Sequence, residues 1–324
     1  MIASKSTLCA ALAGAMLANA SFSATSAGEI VAVVSQQGAR LTLVDAATGS
    51  VAAEIGLPRV PAGIAGSVDG RTLFVTHPDL GLVSRVDIAE RRVTDSFKAG
   101  AEPFGIAVIG EGRSLLVSDW SADALIRLDA GTGRETARAA VGRSPAGLVV
   151  DERGGRAYVA DRESDQVSVV DLATMRRIAA IPTGRAPFAL ALSPDGRELY
   201  VANVRSNDLS VIDTAALSEV SRIRVGLMPY GVAVTSDGSR IAVTNQQSGK
   251  VAMLDRAGRR VLAEMKAGDY PEGVVFTADG RLVVAVWAED RLCIAGRALA
   301  SVCDYRVAVA PGPRMMVVLD GDRP

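Results

Sequence analysis

Proline recurs in this chain every 42 residues, at Pro61, Pro103, Pro145, Pro187, Pro229 and Pro271, and Pro311 follows after 40. A fixed period in the forties is the sequence mark of a β-propeller, in which each repeat is one four-stranded blade. Aligned on proline, one repeat reads APFALALSPDGRELYVANVRSNDLSVIDTAALSEVSRIRVG (186–226). The next reads MPYGVAVTSDGSRIAVTNQQSGKVAMLDRAGRRVLAEMKAG (228–268). Each holds four short runs rich in Val, Ile and Leu, separated by turn residues. In the first of them strand A falls on Ala189–Leu192, B on Glu198–Ala202, C on Leu209–Asp213 and D on Glu219–Val225.

Asp-Gly marks the A–B turn at Asp69-Gly70, Asp195-Gly196, Asp237-Gly238 and Asp279-Gly280, supplying the positive φ that a tight hairpin needs. Two residues past each proline stands a small side chain: Gly63, Gly105, Gly147, Ala189, Gly231 and Gly273. Strand A lies nearest the axis, where only small residues let blades converge.

The count closes at seven. Six complete repeats run from Arg59 to Ala308; Glu29–Leu57 holds only B, C and D, and Arg314–Asp320 holds only A. The expected fold is therefore an all-β, seven-bladed propeller of four-stranded antiparallel blades. Its C-terminal strand joins the three N-terminal strands to close the ring, and residues 28–324 form one domain.

Residues 1–27 read as an export signal, with Lys5 ahead of a short apolar stretch (Leu8–Ala18) and small residues at Ala20, Ala24 and Ala27 as cleavage sites. The apolar stretch is too short to span a bilayer, so the mature protein is expected in the periplasm without membrane insertion. Cys293 and Cys303 remain after cleavage, and an oxidising compartment favours a disulfide between them. A formal charge of −1, without a basic stripe, argues against nucleic acid as a partner.

The strand-B segments read LYVAN (199–203), IAVTN (241–245), AYVAD (157–161), LFVTH (73–77) and LLVSD (115–119), with SVIDT (210–214) and SVVDL (168–172) on strand C. Together they resemble the YVTN family of β-propeller repeats, most closely exported seven-bladed proteins of the YncE type, over essentially all of 29–320. The resemblance implies fold and export. It also extends to propeller subunits of periplasmic quinoprotein amine dehydrogenases and to propellers beside alcohol-oxidation systems, whose cofactors are carried elsewhere.

The repeats act as their own control, because a residue that breaks the register is a better functional candidate than one shared by most blades. Sixteen residues after proline the chain places His77, Asp119, Asp161, Asn203, Asn245 and Trp287, with Ser35 equivalent in the joined blade. Asn and Asp there suit turn hydrogen bonds, while His77 and Trp287 depart. The B–C and D–A loops are expected on one face, which would carry Phe104, Trp120, Arg143, Arg162, Arg185, Phe188, Tyr230, Tyr270, Glu272 and Trp287. Such a mixture suits a protein interface, an anionic or aromatic ligand at the axis, or a plug for the channel.

His77 is the only histidine; it is a further candidate on that face and, followed by Pro78, reads as a turn residue in a loop. No Cys-x-x-Cys-His attachment, His/Cys zinc cluster or nucleophile elbow is present, and no cofactor or metal is expected. The leading reading is a non-catalytic binding scaffold. The alternatives are a subunit or accessory of a quinoprotein dehydrogenase system, and a metal-dependent lactonase built on Glu272, Asp119, Asp161 and Asn203.

Overall fold

The computed structural model describes residues 28–296 and 303–319; residues 1–27, expected as an export signal, lie outside them. Seven four-stranded antiparallel sheets form the ring. In blades 2 to 7 the strands follow chain order, A innermost and D outermost. Blade 5 is representative: A is Pro187–Leu192, B is Glu198–Asn203, C is Asp208–Asp213 and D is Ser218–Arg224.

Blade 1 is composite. Its strands B, C and D are Ile30–Ser35, Arg40–Asp45 and Val51–Gly56, and its strand A is the C-terminal Pro313–Leu319. Ile30 faces Leu319, Val31 faces Val318 and Ser35 faces Pro313. Pro313, and not Pro311, therefore holds the seventh place, 42 residues beyond Pro271. The Pro311 carbonyl accepts a bond from the Gly38 amide instead.

Alternation along the strands sends Val, Ile, Leu and Ala to both faces of each sheet, because every sheet is covered by a neighbour on each side. Seven apolar layers result, one per blade interface. The layer between blades 4 and 5, for example, is built on Tyr158, Val167, Val169, Leu199 and Val201. The outermost D strands are largely exposed.

Blades are stapled near the axis by hydroxyl groups. Thr244 Oγ1 accepts the Gly231 amide at 2.7 Å and donates to the Glu272 carbonyl of the next blade at 2.6 Å. Ser118 and Thr76 repeat this with Ala146 and Phe104. The small residue past each proline is required at this staple, since a Cβ at Gly105 or Gly147 would come within 2.6 Å of the next blade's carbonyl.

Cys293, on strand C of blade 7 (Arg291–Ala295), is joined by a disulfide to Cys303, which stands just ahead of strand D (Tyr305–Ala308). In the chain-entropy account, a loop this short contributes roughly 3 kcal/mol. No helix among the described residues is long and apolar enough to cross a membrane.

Candidate functional site

The B–C and D–A loops share one face, where a recurring clasp fixes the side chains. The residue before proline adopts a left-handed conformation at Val60, Ser144, Ala186, Met228, Tyr270 and Gly312. In four clasps its amide is held by an Asp or Asn of the preceding blade: Ser144 by Asp123, Ala186 by Asp165, Met228 by Asn207 and Gly312 by Asp290. Its carbonyl accepts the first B–C loop amide, as Ala186 does from Val204 and Met228 from Gln246.

Two tiers of side chains are thereby aimed at the axis. The residues after proline form the lower tier: Ala62, Phe104, Ala146, Phe188, Tyr230, Glu272 and Arg314. The residues after strand B form the upper tier: Gln36, Pro78, Trp120, Arg162, Val204, Gln246 and Trp287. Blade 7 is one residue shorter at its A–B turn, so Val286, and not Trp287, pairs with Pro271 as Asn245 pairs with Pro229. Trp287 thus holds in blade 7 the repeat position that Trp120 holds in blade 3, which corrects its expected place at the strand-B exit, and it lies against Tyr270.

The lower tier is a floor. Alanines 62 and 146 leave room that the rings fill: Phe104 meets Phe188 edge-on at 5.5 Å, and Phe188 lies 4.2 Å from Tyr230. Arg314 holds the remaining side. Its Nε donates to Glu272 Oε2 at 2.9 Å, its terminal nitrogen donates to the Tyr230 hydroxyl, and its guanidinium stands over the rings of Phe104 and Tyr230. Gln246 donates to the other Glu272 oxygen at 2.8 Å. Burial pushes the Glu272 carboxyl above its usual range, against the pull of Arg314 and Gln246. Burial likewise pushes the Tyr230 hydroxyl up, keeping it neutral. Burial opposes the Arg314 charge, but Tyr230 and Glu272 hold it on.

Above the floor opens a funnel of about 460 Å³. Phe104, Trp120, Phe188, Tyr230, Arg162 and Arg314 line it, joined by two acids, Asp79 and Glu102, and by Met228. The Arg162 guanidinium sits 5.6 Å from the Trp120 ring centroid. Beneath the floor a second cavity of about 280 Å³ runs along the glycines of the inner strands.

The structure therefore gathers Phe104, Trp120, Arg162, Phe188, Tyr230 and Glu272 at the axis. Phe188, Tyr230 and Glu272 are buried there, 5–7% exposed, as parts of the floor and not as anchors for a docked surface. Arg143 and Arg185 are exposed on the rim, each bonded to a backbone carbonyl of an adjacent loop. Tyr270 is 48% exposed and packs against Trp287. Sequence reasoning missed Arg314, Asp79 and Glu102. Arg314 was available from the period, as the residue after the seventh proline, and the two acids lie in irregular loops.

The carboxylates expected as metal ligands are engaged apart from one another. Asp119 accepts the amides of Ala101 and Glu102, the turn role expected of it. Asp161 accepts from Ser168 and Gln166, and Asn203 donates to Asp208 and Ser210. Among the described residues no group of three or more His, Cys, Asp and Glu side chains is placed to hold a metal.

His77 ends strand B of blade 2 (Thr72–His77) and is fully buried, not set in a loop. Its Nδ1 lies 3.2 Å from the Arg59 carbonyl, which makes Nδ1 the donor, and Nε2 is buried without a partner. Burial holds its pKa below the usual 6.5. A base with a depressed folded pKa is neutral in the fold and charged in the unfolded chain, so stability falls as pH drops below about 6.5. His77→Asn, the residue of blades 5 and 6, is expected to flatten the slope of melting temperature between pH 7 and 5. An unchanged slope would remove His77 from the acid response.

A family model described as the cytochrome D1 heme domain matches residues 154–291, from blade 4 into blade 7. No curated protein matches the chain by sequence. Among solved structures, hydrazine synthase of Kuenenia stuttgartiensis is similar at 20% identity and TM-score 0.74, over 82% of this chain and 91% of that one. A functionally unknown protein from Desulfotomaculum acetoxidans DSM 771 is similar at 13% and 0.80, over 90% and 99%. The dihydro-heme d1 dehydrogenase NirN in complex with DHE is similar at 18% and 0.69, over 91% and 75%.

The matched family's name raises haem, and the funnel's residues do not fit one held through an imidazole. The sole histidine is buried and is not among the residues that line the funnel. At these identities the structural likenesses establish the propeller fold.

Proposed function

We propose that this chain is an exported propeller that binds a small ligand in its axial funnel and performs no chemistry on it. One observation carries the reading: aromatic and charged side chains from several blades converge on one open cavity of about 460 Å³ above a closed floor. That is the size and make-up of a small-molecule site. Export rests on residues 1–27, with a mature domain from residue 28, and a periplasmic location suits the disulfide.

Tryptophan fluorescence tests the reading, because only Trp120 and Trp287 are present and Trp120 lines the funnel. In a Trp287→Phe background, the uncharged probe N-phenyl-1-naphthylamine is expected to quench Trp120 saturably, with affinity at least ~10-fold weaker in Phe104→Ala, about 1.4 kcal/mol. Quenching that never saturates, or that ignores Phe104, overturns it.

The match over 154–291 favours a second reading, in which the propeller serves a periplasmic redox system, haem or quinone, whose cofactor sits on another chain. This reading expects a coloured, stoichiometric partner to copurify with the exported protein.

A further inference from the structure

The funnel carries charges of both signs, and their partners decide what it can hold. Arg314 is spent on Glu272 and the Tyr230 hydroxyl. Arg162 is not spent in the same way. It bonds Glu163, but Arg205 grips both oxygens of that carboxylate at 2.9 and 3.0 Å, so one acid serves two guanidinium groups. One positive charge is left over on the Arg162 side.

On the two preceding blades, Asp79 of blade 2 is exposed on the short turn Pro78–Leu80, and Glu102, leading into blade 3, is half-buried with only the Ser121 hydroxyl bonded to its carboxylate. Among the described residues no cation pairs with either acid. Between the two signs stand the faces of Phe104 and Trp120, 5.5 Å apart, surfaces that attract both rings and ammonium groups.

We infer that the funnel takes an aromatic ammonium carboxylate. Its ring lies against Phe104 and Trp120, its ammonium turns toward Asp79 and Glu102, and its carboxylate turns toward Arg162. This rests on the proposed binding function and gives it a ligand class. A ligand bearing only acid groups meets Asp79 and Glu102 as like charges, and one bearing only an amine meets Arg162. Only a zwitterion offsets both, so discrimination comes from repulsion as much as attraction.

Calorimetric titration of the exported protein with L-phenylalanine, phenethylamine and 3-phenylpropanoate tests the assignment at low salt, where surface charges are least screened. Phenylalanine is expected to bind at least ~10-fold tighter than either analogue, a difference of about 1.4 kcal/mol. Asp79→Asn with Glu102→Gln should erase its advantage over 3-phenylpropanoate and keep that over phenethylamine. Arg162→Gln should do the reverse. Equal binding of all three probes, or advantages that survive these substitutions, overturns the assignment. Absence of phenylalanine binding while N-phenyl-1-naphthylamine still quenches Trp120 overturns the ligand class and leaves the binding function standing. If that quenching fails as well, the binding function falls too.

Discussion

A chain ending at Gly312 is expected to lose the folded ring. Residues 313–319 supply the inner strand of blade 1, paired along Ile30–Ser35. They also send Met316 into the layer between blades 7 and 1, and Leu319 into the layer between blades 1 and 2. Removing those two buried side chains forfeits about 1.5–3 kcal/mol each. Removing Arg314 strands Glu272 as a buried, unpaired charge, a further loss of about 3–5 kcal/mol. The sum matches the whole stability of an ordinary domain, about 5–15 kcal/mol. The exposed edge of Ile30–Ser35 then offers a template for aggregation. Size-exclusion chromatography and thermal melting of the truncated protein are expected to show aggregation or no cooperative transition. A monomer melting at the full-length temperature would refute the closure argument.

Arg314→Ala alone is expected to cost about 3–5 kcal/mol, because breaking a buried pair leaves one charge without its partner. Arg314 is among the best satisfied side chains at the axis, bonded to Glu272 and Tyr230 and stacked on Phe104. The double variant Arg314→Met, Glu272→Leu should recover most of the loss, since an apolar pair of similar volume needs no counter-charge.

The pH dependence distinguishes charge from packing. A carboxyl whose folded pKa is raised is disfavoured once ionised, so its cost grows as pH rises from its unfolded value of 4.5 through the folded value. In Arg314→Ala that rise is larger, because the opposing charge is gone. Urea unfolding is therefore expected to find the variant's deficit greater at pH 8 than at pH 5. A deficit equal at both values, with no rescue in the double variant, would mean that Arg314 acts through its volume alone.

These expectations draw unequally on sequence and on structure. The 42-residue period, the Asp-Gly turns and the glycines past each proline were legible because each meets a local backbone demand: a positive φ at Gly70, Gly196 and Gly238, or close approach of the next blade at Gly105 and Gly147. Closure by the C-terminal strand was legible too, since three strands at one end and one at the other complete a blade. Two register errors came from local irregularities. Pro311 and Pro313 compete within one Pro-Gly-Pro turn, and the missing residue before Leu282 shifts Trp287 by one place.

The aromatic and arginine content of the loop face was also readable, but its division was not. Phe188 and Tyr230 share a repeat position with Ala62 and Ala146. Which rings seal the floor depends on where the alanines leave space around a closed circle. Arg314 reaches Tyr230 across 84 positions and Glu272 across 42. The overcommitment of Glu163 likewise crosses blades, since Arg205 reaches it from 42 positions away. Sequence determined the blades, because strands and turns answer to local periodicity. Only the tertiary structure decided the funnel, because its charges and rings meet at the axis, where neighbours are set by ring closure and not by distance along the chain.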